Sequence, residues 1–148
     1  MTEKLFFDTD CISSFPNIPH IRRKVRDLCL NGEISTQEIL ANTEEYRLYY
    51  ELAVSAPRGE KIIGKGEAAA IALAKTYNGI IASNNLKDIS KYVEKYSLEH
   101  VATGDILVAA LNKGYIDEIA GNKIWSKMIA KRRILPTATF TEYLGTIE

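Results

Sequence analysis

The chain has 148 residues, 46% hydrophobic and 26% charged, the balance of a folded soluble domain rather than of a disordered, fibrous or collagen-like chain. Nineteen Lys and Arg residues offset nineteen Asp and Glu residues, so net charge calls for no nucleic acid, membrane or acidic ligand, and any such partner must be read locally. Two cysteines, Cys11 and Cys29, are too few for a secreted disulfide framework and lack the paired spacing of a zinc site.

The opening, Met1 to Lys4, is polar rather than a basic signal-peptide start. No apolar run approaches the roughly 20 residues that span a bilayer. The expected setting is reducing and cytoplasmic, with no membrane anchor.

Leu5-Phe6-Phe7 is an apolar run that stops abruptly at Asp8-Thr9-Asp10, as a buried strand does at the edge of a sheet. Ile18, Ile21, Val25 and Leu28 then recur at helical spacing, with Arg22, Arg23, Lys24 and Arg26 elsewhere around the axis, and Asn31-Gly32 ends that helix. A brief strand is expected at Glu33-Ile34-Ser35. Thr36 leads into a longer helix marked by Tyr46, Tyr49, Tyr50, Ala53 and Val54 and stopped by Pro57 and Gly59. Residues 57–66 read as a basic, glycine-punctuated loop.

From Glu67 an alanine-rich helix runs to about Tyr77, Asn78-Gly79 ends it, and Ile80-Ile81-Ala82 forms a second clear strand. Ser83-Asn84-Asn85 opens a helix with Ile89, Tyr92, Val93 and Tyr96 on one face. A short Val101-Ala102 strand passes through Thr103-Gly104-Asp105 into a helix over 106–111. Ile124, Trp125, Met128 and Ile129 mark one more helix after Gly121, and nothing beyond Pro136 is assigned.

Strand, polar tip and helix thus alternate. Parallel strands need crossover connections, so the expected fold is α/β: three layers, α/β/α, around a parallel sheet of about four to five short strands. One domain over 1–148 is expected, with helical additions from about 115.

In open parallel sheets the ligand crevice lies outside the carboxyl ends of the strands. Carboxylates gather there: Asp8 and Asp10 after the first strand, Glu38 after the second, Asp88 after Ile80-Ala82, Asp105 after Val101-Ala102, and Glu67 at the start of the intervening helix. Converging carboxylates repel unless a cation or shared proton neutralises them, and oxygen donors without imidazole or thiolate suit Mg²⁺ or Mn²⁺.

Each acid also has a plainer reading. Glu38 in Ser35-Thr36-Gln37-Glu38 fits a capping box, Asp88 stands three residues after an Asn cap, and Glu67 lies where the helix dipole favours any acid. His20 and His100 stand apart from other ligand types. Arg22, Arg23 and Arg26, or Lys131-Arg132-Arg133, read either as phosphate contacts or as solvated helix faces.

Phe6-Phe7-Asp8-Thr9-Asp10-Cys11-Ile12 resembles the opening of the PIN domain nucleases, including VapC-type toxins, in which an apolar strand ends in Asp-Thr-Asn/Asp. Residues 66–74, an acid opening an alanine-rich helix, resemble the family's second signature. Residues 80–89, a strand, a Ser and a further acid, resemble its third, and Glu38 occupies the place of its early glutamate. The resemblance covers Leu5 to about Gly114. It departs from the family at Asn84-Asn85, where many relatives carry an aspartate.

The resemblance implies a metal-dependent endoribonuclease that hydrolyses RNA phosphodiesters, the toxin of a toxin–antitoxin pair. It carries Asp8, Glu38 and Glu67 over directly as catalytic residues, with Asp8 and Glu67 on Mg²⁺ or Mn²⁺, and, because of Asn84-Asn85, leaves the last ligand to Asp88 or, as the alternative, Asp105. Ser83, Asn85 and Asp105 become candidates for holding water or substrate. It further implies an antitoxin protein over the site and a homodimer.

Two alternatives stay open. One is a non-catalytic PIN-like module that binds RNA or protein, motivated by Asn84-Asn85. The other is a phosphatase similar to the haloacid-dehalogenase-like enzymes, whose Asp-x-Asp opening matches Asp8-Thr9-Asp10 but whose second late acid is replaced here by Ala109.

Overall fold

A computed structural model describes residues 4–7, 30–32 and 35–147 of the chain. Asp8, Asp10, both cysteines, His20, the helix expected over 18–28 with its arginines, and Glu33-Ile34 lie outside the described residues.

Three strands, β1 (Leu5–Phe7), β2 (Ile80–Ala82) and β3 (Glu99–Val101), form a parallel sheet in the order β1-β2-β3. Phe7, Ala82 and Val101 stand in register, so the three strands end at one edge. The fold class is therefore mixed α/β with a parallel sheet, as expected, and among the described residues the sheet has three strands rather than the expected four to five. Ser35, expected at the end of a further strand, is in none. Leu5 and Phe7 are exposed rather than buried, and β2 is the strand that the core encloses, with Ile81 and Ala82 fully covered.

The described residues form six helices: α1 (Glu44–Ala53), α2 (Lys65–Tyr77), α3 (Leu86–Lys95), α4 (Thr103–Asn112), α5 (Glu118–Ala130) and α6 (Phe140–Thr146). The expected start of the first at Thr36 is corrected by the structure. Residues 35–40 are not helical, and Thr43 caps α1 by accepting from the Tyr46 amide (3.2 Å). The capping box at 35–38 does not form, because Ser35 and Thr36 have no helix to cap.

The buried face of α1 is also shifted. Glu45, Leu52 and Ala53 point inward, while Tyr50 and Val54 are exposed. Buried Glu45 accepts a hydrogen bond from the Tyr77 hydroxyl (3.1 Å), which ties α1 to the end of α2. That bond holds the Tyr77 phenol above its ordinary range.

α2 is enclosed on nearly every side, with Ala68, Ala70, Ile71, Ala72, Leu73 and Ala74 buried. Its alanines let neighbours approach closely, and Asn78 closes it in the left-handed region (φ 51°). Ile71, Ile81, Ile89 and Tyr92 form a first core with α1. Leu107, Trp125, Met128 and Phe140 form a second among α4, α5 and α6.

The unassigned tail thus contains a helix. Thr139 accepts from the Glu142 amide (3.1 Å), and Glu142 reaches back to the Thr139 amide (3.3 Å). The Thr-x-x-Glu spacing of a capping box was its sequence signal.

Candidate functional site

The carboxyl edge of β2 is where the polar side chains gather. α2 and α3 both begin at that end, and the third residue of each is an acid, Glu67 and Asp88. Carboxylates at that position complement the free amides and positive dipole of a helix start. Glu67 folds back over Gly64, where any Cβ would collide with its carboxylate. Glycine at 64 is thus a steric requirement of this Glu67 conformation.

Asn85, the residue before α3, joins the two acids. Its side-chain nitrogen donates to Glu67 Oε1 (3.0 Å) and to Asp88 Oδ2 (2.9 Å). Its own backbone amide donates to the Oγ of fully buried Ser83 (3.2 Å). Asn85 therefore does not cap α3 with its side chain; it spends both amide protons on carboxylates.

Asn84 faces the other way. Its Oδ1 accepts from the Thr103 amide (2.9 Å) and its Nδ2 donates to Thr103 Oγ1 (2.6 Å), which links the segments leaving β2 and β3. His100 Nε2 meets the Ser83 carbonyl oxygen (2.7 Å), which can only accept, so that nitrogen carries a proton.

The structure therefore brings Glu67, Asn85, Asp88 and Ser83 into one hydrogen-bonded group. Glu38 does not join it: it lies on an exposed, non-helical stretch, and no hydrogen bond or ion pair links its side chain to the group. Asp105 is occupied elsewhere. Its Oδ2 accepts from the Ala102 amide (2.8 Å) at the start of α4, and its Oδ1 accepts from the Tyr143 hydroxyl (2.7 Å).

Burial first, and then the bond to Asp105, pushes the Tyr143 phenol up to about 12. The Tyr143 ring lies against Gly104, where a Cβ would meet Cε1 at 2.5 Å. Nothing in the sequence around Tyr143 signals this contact.

The residues offer a hard cation only oxygen ligands of the appropriate kind. The Asn85 bonds use one oxygen of each carboxylate, and the other oxygen points to no partner among the described residues. No group of three or more His, Cys, Asp or Glu residues close enough to hold a metal occurs among the described residues. Glu67 and Asp88 thus fit as part of a ligand set that needs a further acid, and Asp8, which follows Phe7 in the chain, lies outside the described residues. Lys131 to Arg133 follow the last turn of α5, where cations complement the dipole.

No helix among the described residues is long and apolar enough to cross a membrane. Compared with family models, with curated proteins and with solved structures, the chain matches none.

Proposed function

We propose that this protein is a metal-dependent endoribonuclease of PIN type. The observation that supports the reading best is the junction of Glu67 and Asp88 through Asn85 at the carboxyl edge of a parallel sheet. The segment resembling the second signature supplies Glu67 to that junction, and the segment resembling the third supplies Asn85 and Asp88.

Asp8, Glu67 and Asp88 would hold the cation, with Glu38 beyond them. A bound Mg²⁺ or Mn²⁺ ion supplies an activated water and neutralises charge on the scissile phosphate. Asn85 keeps the two carboxylates together and oriented. Ser83, through the Asn85 amide, fixes the turn that carries Asn85, and Asp105 anchors the neighbouring helix rather than the substrate.

The reading extends to a three-layer fold with one or two strands beyond the three described, a cytoplasmic setting, a homodimer and an antitoxin protein over the site.

The test is cleavage of a mixed RNA pool with Mn²⁺ by the native chain, Asp8→Asn and Glu67→Gln, with product ends mapped by sequencing. Metal-dependent cutting that both substitutions remove is the expected result. A folded protein that cuts nothing would sink the reading.

The amide at position 85 favours one second reading, a non-catalytic RNA-binding module. An amide nitrogen already satisfies both acids, as a cation otherwise would. In that case millimolar Mn²⁺ leaves the melting temperature unchanged, whereas binding to the native state raises it.

A further inference from the structure

The seam between α2 and α3 has two chemically different ends. At the starts of the helices stand Glu67 and Asp88; at the far end, Lys75 of α2 meets Tyr96 at the close of α3. Eight residues separate Asp88 from Tyr96, about 12 Å along a helix.

Tyr92 and Tyr96 stack there, with ring centroids 6.2 Å apart and planes 16° from parallel. Three ammonium groups lie over these rings: Lys91 over Tyr92 at 4.6 Å, and Lys95 and Lys75 over Tyr96 at 5.5 and 5.8 Å. Ring contact, weak at an exposed site, biases the lysine heads toward the two rings and so toward one another. Lys75 and Lys95 form no ion pair among the described residues. Lys91 meets Glu60 at 3.4 Å, from the loop between α1 and α2, and the same carboxylate accepts from the Tyr92 hydroxyl (3.4 Å). Glu51 of α1 is a further acid whose charge acts on Tyr96.

We propose that this seam is a track for single-stranded RNA, in which Lys75, Lys91 and Lys95 hold backbone phosphates while a neighbouring phosphate reaches Glu67 and Asp88. The inference rests on the nuclease reading for the identity of the ligand. The charges themselves are arranged for a polyanion: acids that need a cation at one end, a compact cation cluster at the other, and helix between. A solvated lysine face would not converge from two helices onto one pair of rings. Glu60 opposes the track, because it neutralises Lys91.

The test is fluorescence anisotropy of a labelled single-stranded RNA of about 12 nucleotides with the full chain in EDTA, read against salt concentration. Each lysine removed from a single-strand contact should lower the log–log salt slope by about 0.7. The triple variant Lys75→Gln, Lys91→Gln, Lys95→Gln is therefore expected to lose about 2 from the slope and at least about ten-fold in affinity. Glu60→Gln is expected to tighten binding about three-fold, the opposite sign.

A folded triple variant with unchanged affinity and slope overturns the proposal. So does equal loss from a matched triple just after α4 and on α5, Lys113→Gln, Lys123→Gln, Lys127→Gln, or a native chain that ignores the RNA or prefers duplex or anionic vesicles. Should the triple variant fail to fold, Lys95→Gln and Glu60→Gln carry the same test with opposite signs. No divalent cation is present, so the two readings separate. A lost slope without Mn²⁺-dependent cutting overturns the nuclease alone; cutting with an unchanged slope overturns the track alone.

Discussion

Asn85 holds two carboxylates with one amide group, and the choice of an amide over an acid has an energetic sense. An aspartate at 85 would set a third negative charge against Glu67 and Asp88 and remove both hydrogen bonds. Asn85→Asp is expected to lose about 1–3 kcal/mol of stability in EDTA and to recover much of it with Mn²⁺, read as paired thermal unfolding curves. Equal melting temperatures with and without Mn²⁺ would show that the three side chains do not share a cation. Tyr143 gives a prediction in pH. Its hydroxyl is raised from 10 to about 12, so below pH 10 it is protonated in folded and unfolded chains alike. As pH rises from 10 to 12 the unfolded chain ionises first, and the stability due to this group falls and is gone above the folded value. The melting temperature of the native chain should drop across that window, and Tyr143→Phe should flatten the drop.

Among elements, α5 and α6 meet where a glycine leaves no space. A Cβ on Gly121 would collide with the Phe140 ring, and Phe140 is fully buried. Alanine is favoured over glycine inside a helix by about 1 kcal/mol, but forcing a methyl into packed rings costs about 1–3 kcal/mol. Gly121→Ala is therefore expected to lower stability despite the better helix former, measured as a lower urea midpoint with an unchanged slope. Most elements were legible in the sequence for identifiable reasons. α2, β2 and α3 carry clean periodicity and end signals, at Asn78-Gly79 and at Asn85. α1 was displaced because Thr36 and Thr43 are both acceptable caps, and only tertiary contact of Leu52 and Ala53 with α2 decides between them. The burial of Glu45 was invisible for the same reason, since its partner Tyr77 lies 32 positions away. At the site, Glu67 and Asp88 were legible as acids in the first turns of their helices, although the first of these helices begins at Lys65 rather than at Glu67, and Asn85 as the residue that opens the second. The bridge between them was not, because hydrogen bonds from one amide to two distant acids leave no spacing in the chain.

At the scale of the whole molecule, two cores among the described residues divide the work. The first, around Ile71 and Ile81, carries the sheet and the acids; the second, around Trp125, carries the C-terminal helices. They meet where the segment leaving β2 touches the start of α4, through Asn84 with Thr103. The single tryptophan of the chain is 1% exposed and lies 5.8 Å from the Phe140 ring, so its emission reports on the second core. Phe140→Ala is expected to cost about 3–5 kcal/mol and to shift Trp125 emission to the red. An unshifted spectrum with that loss would mean that the tail is held by something other than this packing.

Gly79, just before β2, marks how tightly the sheet is gauged. A Cβ there would meet the Phe6 ring at 2.6 Å and the Lys4 carbonyl oxygen at 2.7 Å, so β1 lies nearer to the start of β2 than any other residue would allow. With strands of three residues, few ladder bonds resist a sideways displacement of β1. A side chain at 79 would act as a spacer, widening the sheet where the strands begin and shifting the place where β1 ends at Phe7. Glycine on the amino side of the sheet thereby acts as a ruler for distances on its carboxyl side, and the alignment of the polar edge begins with an atom that is missing.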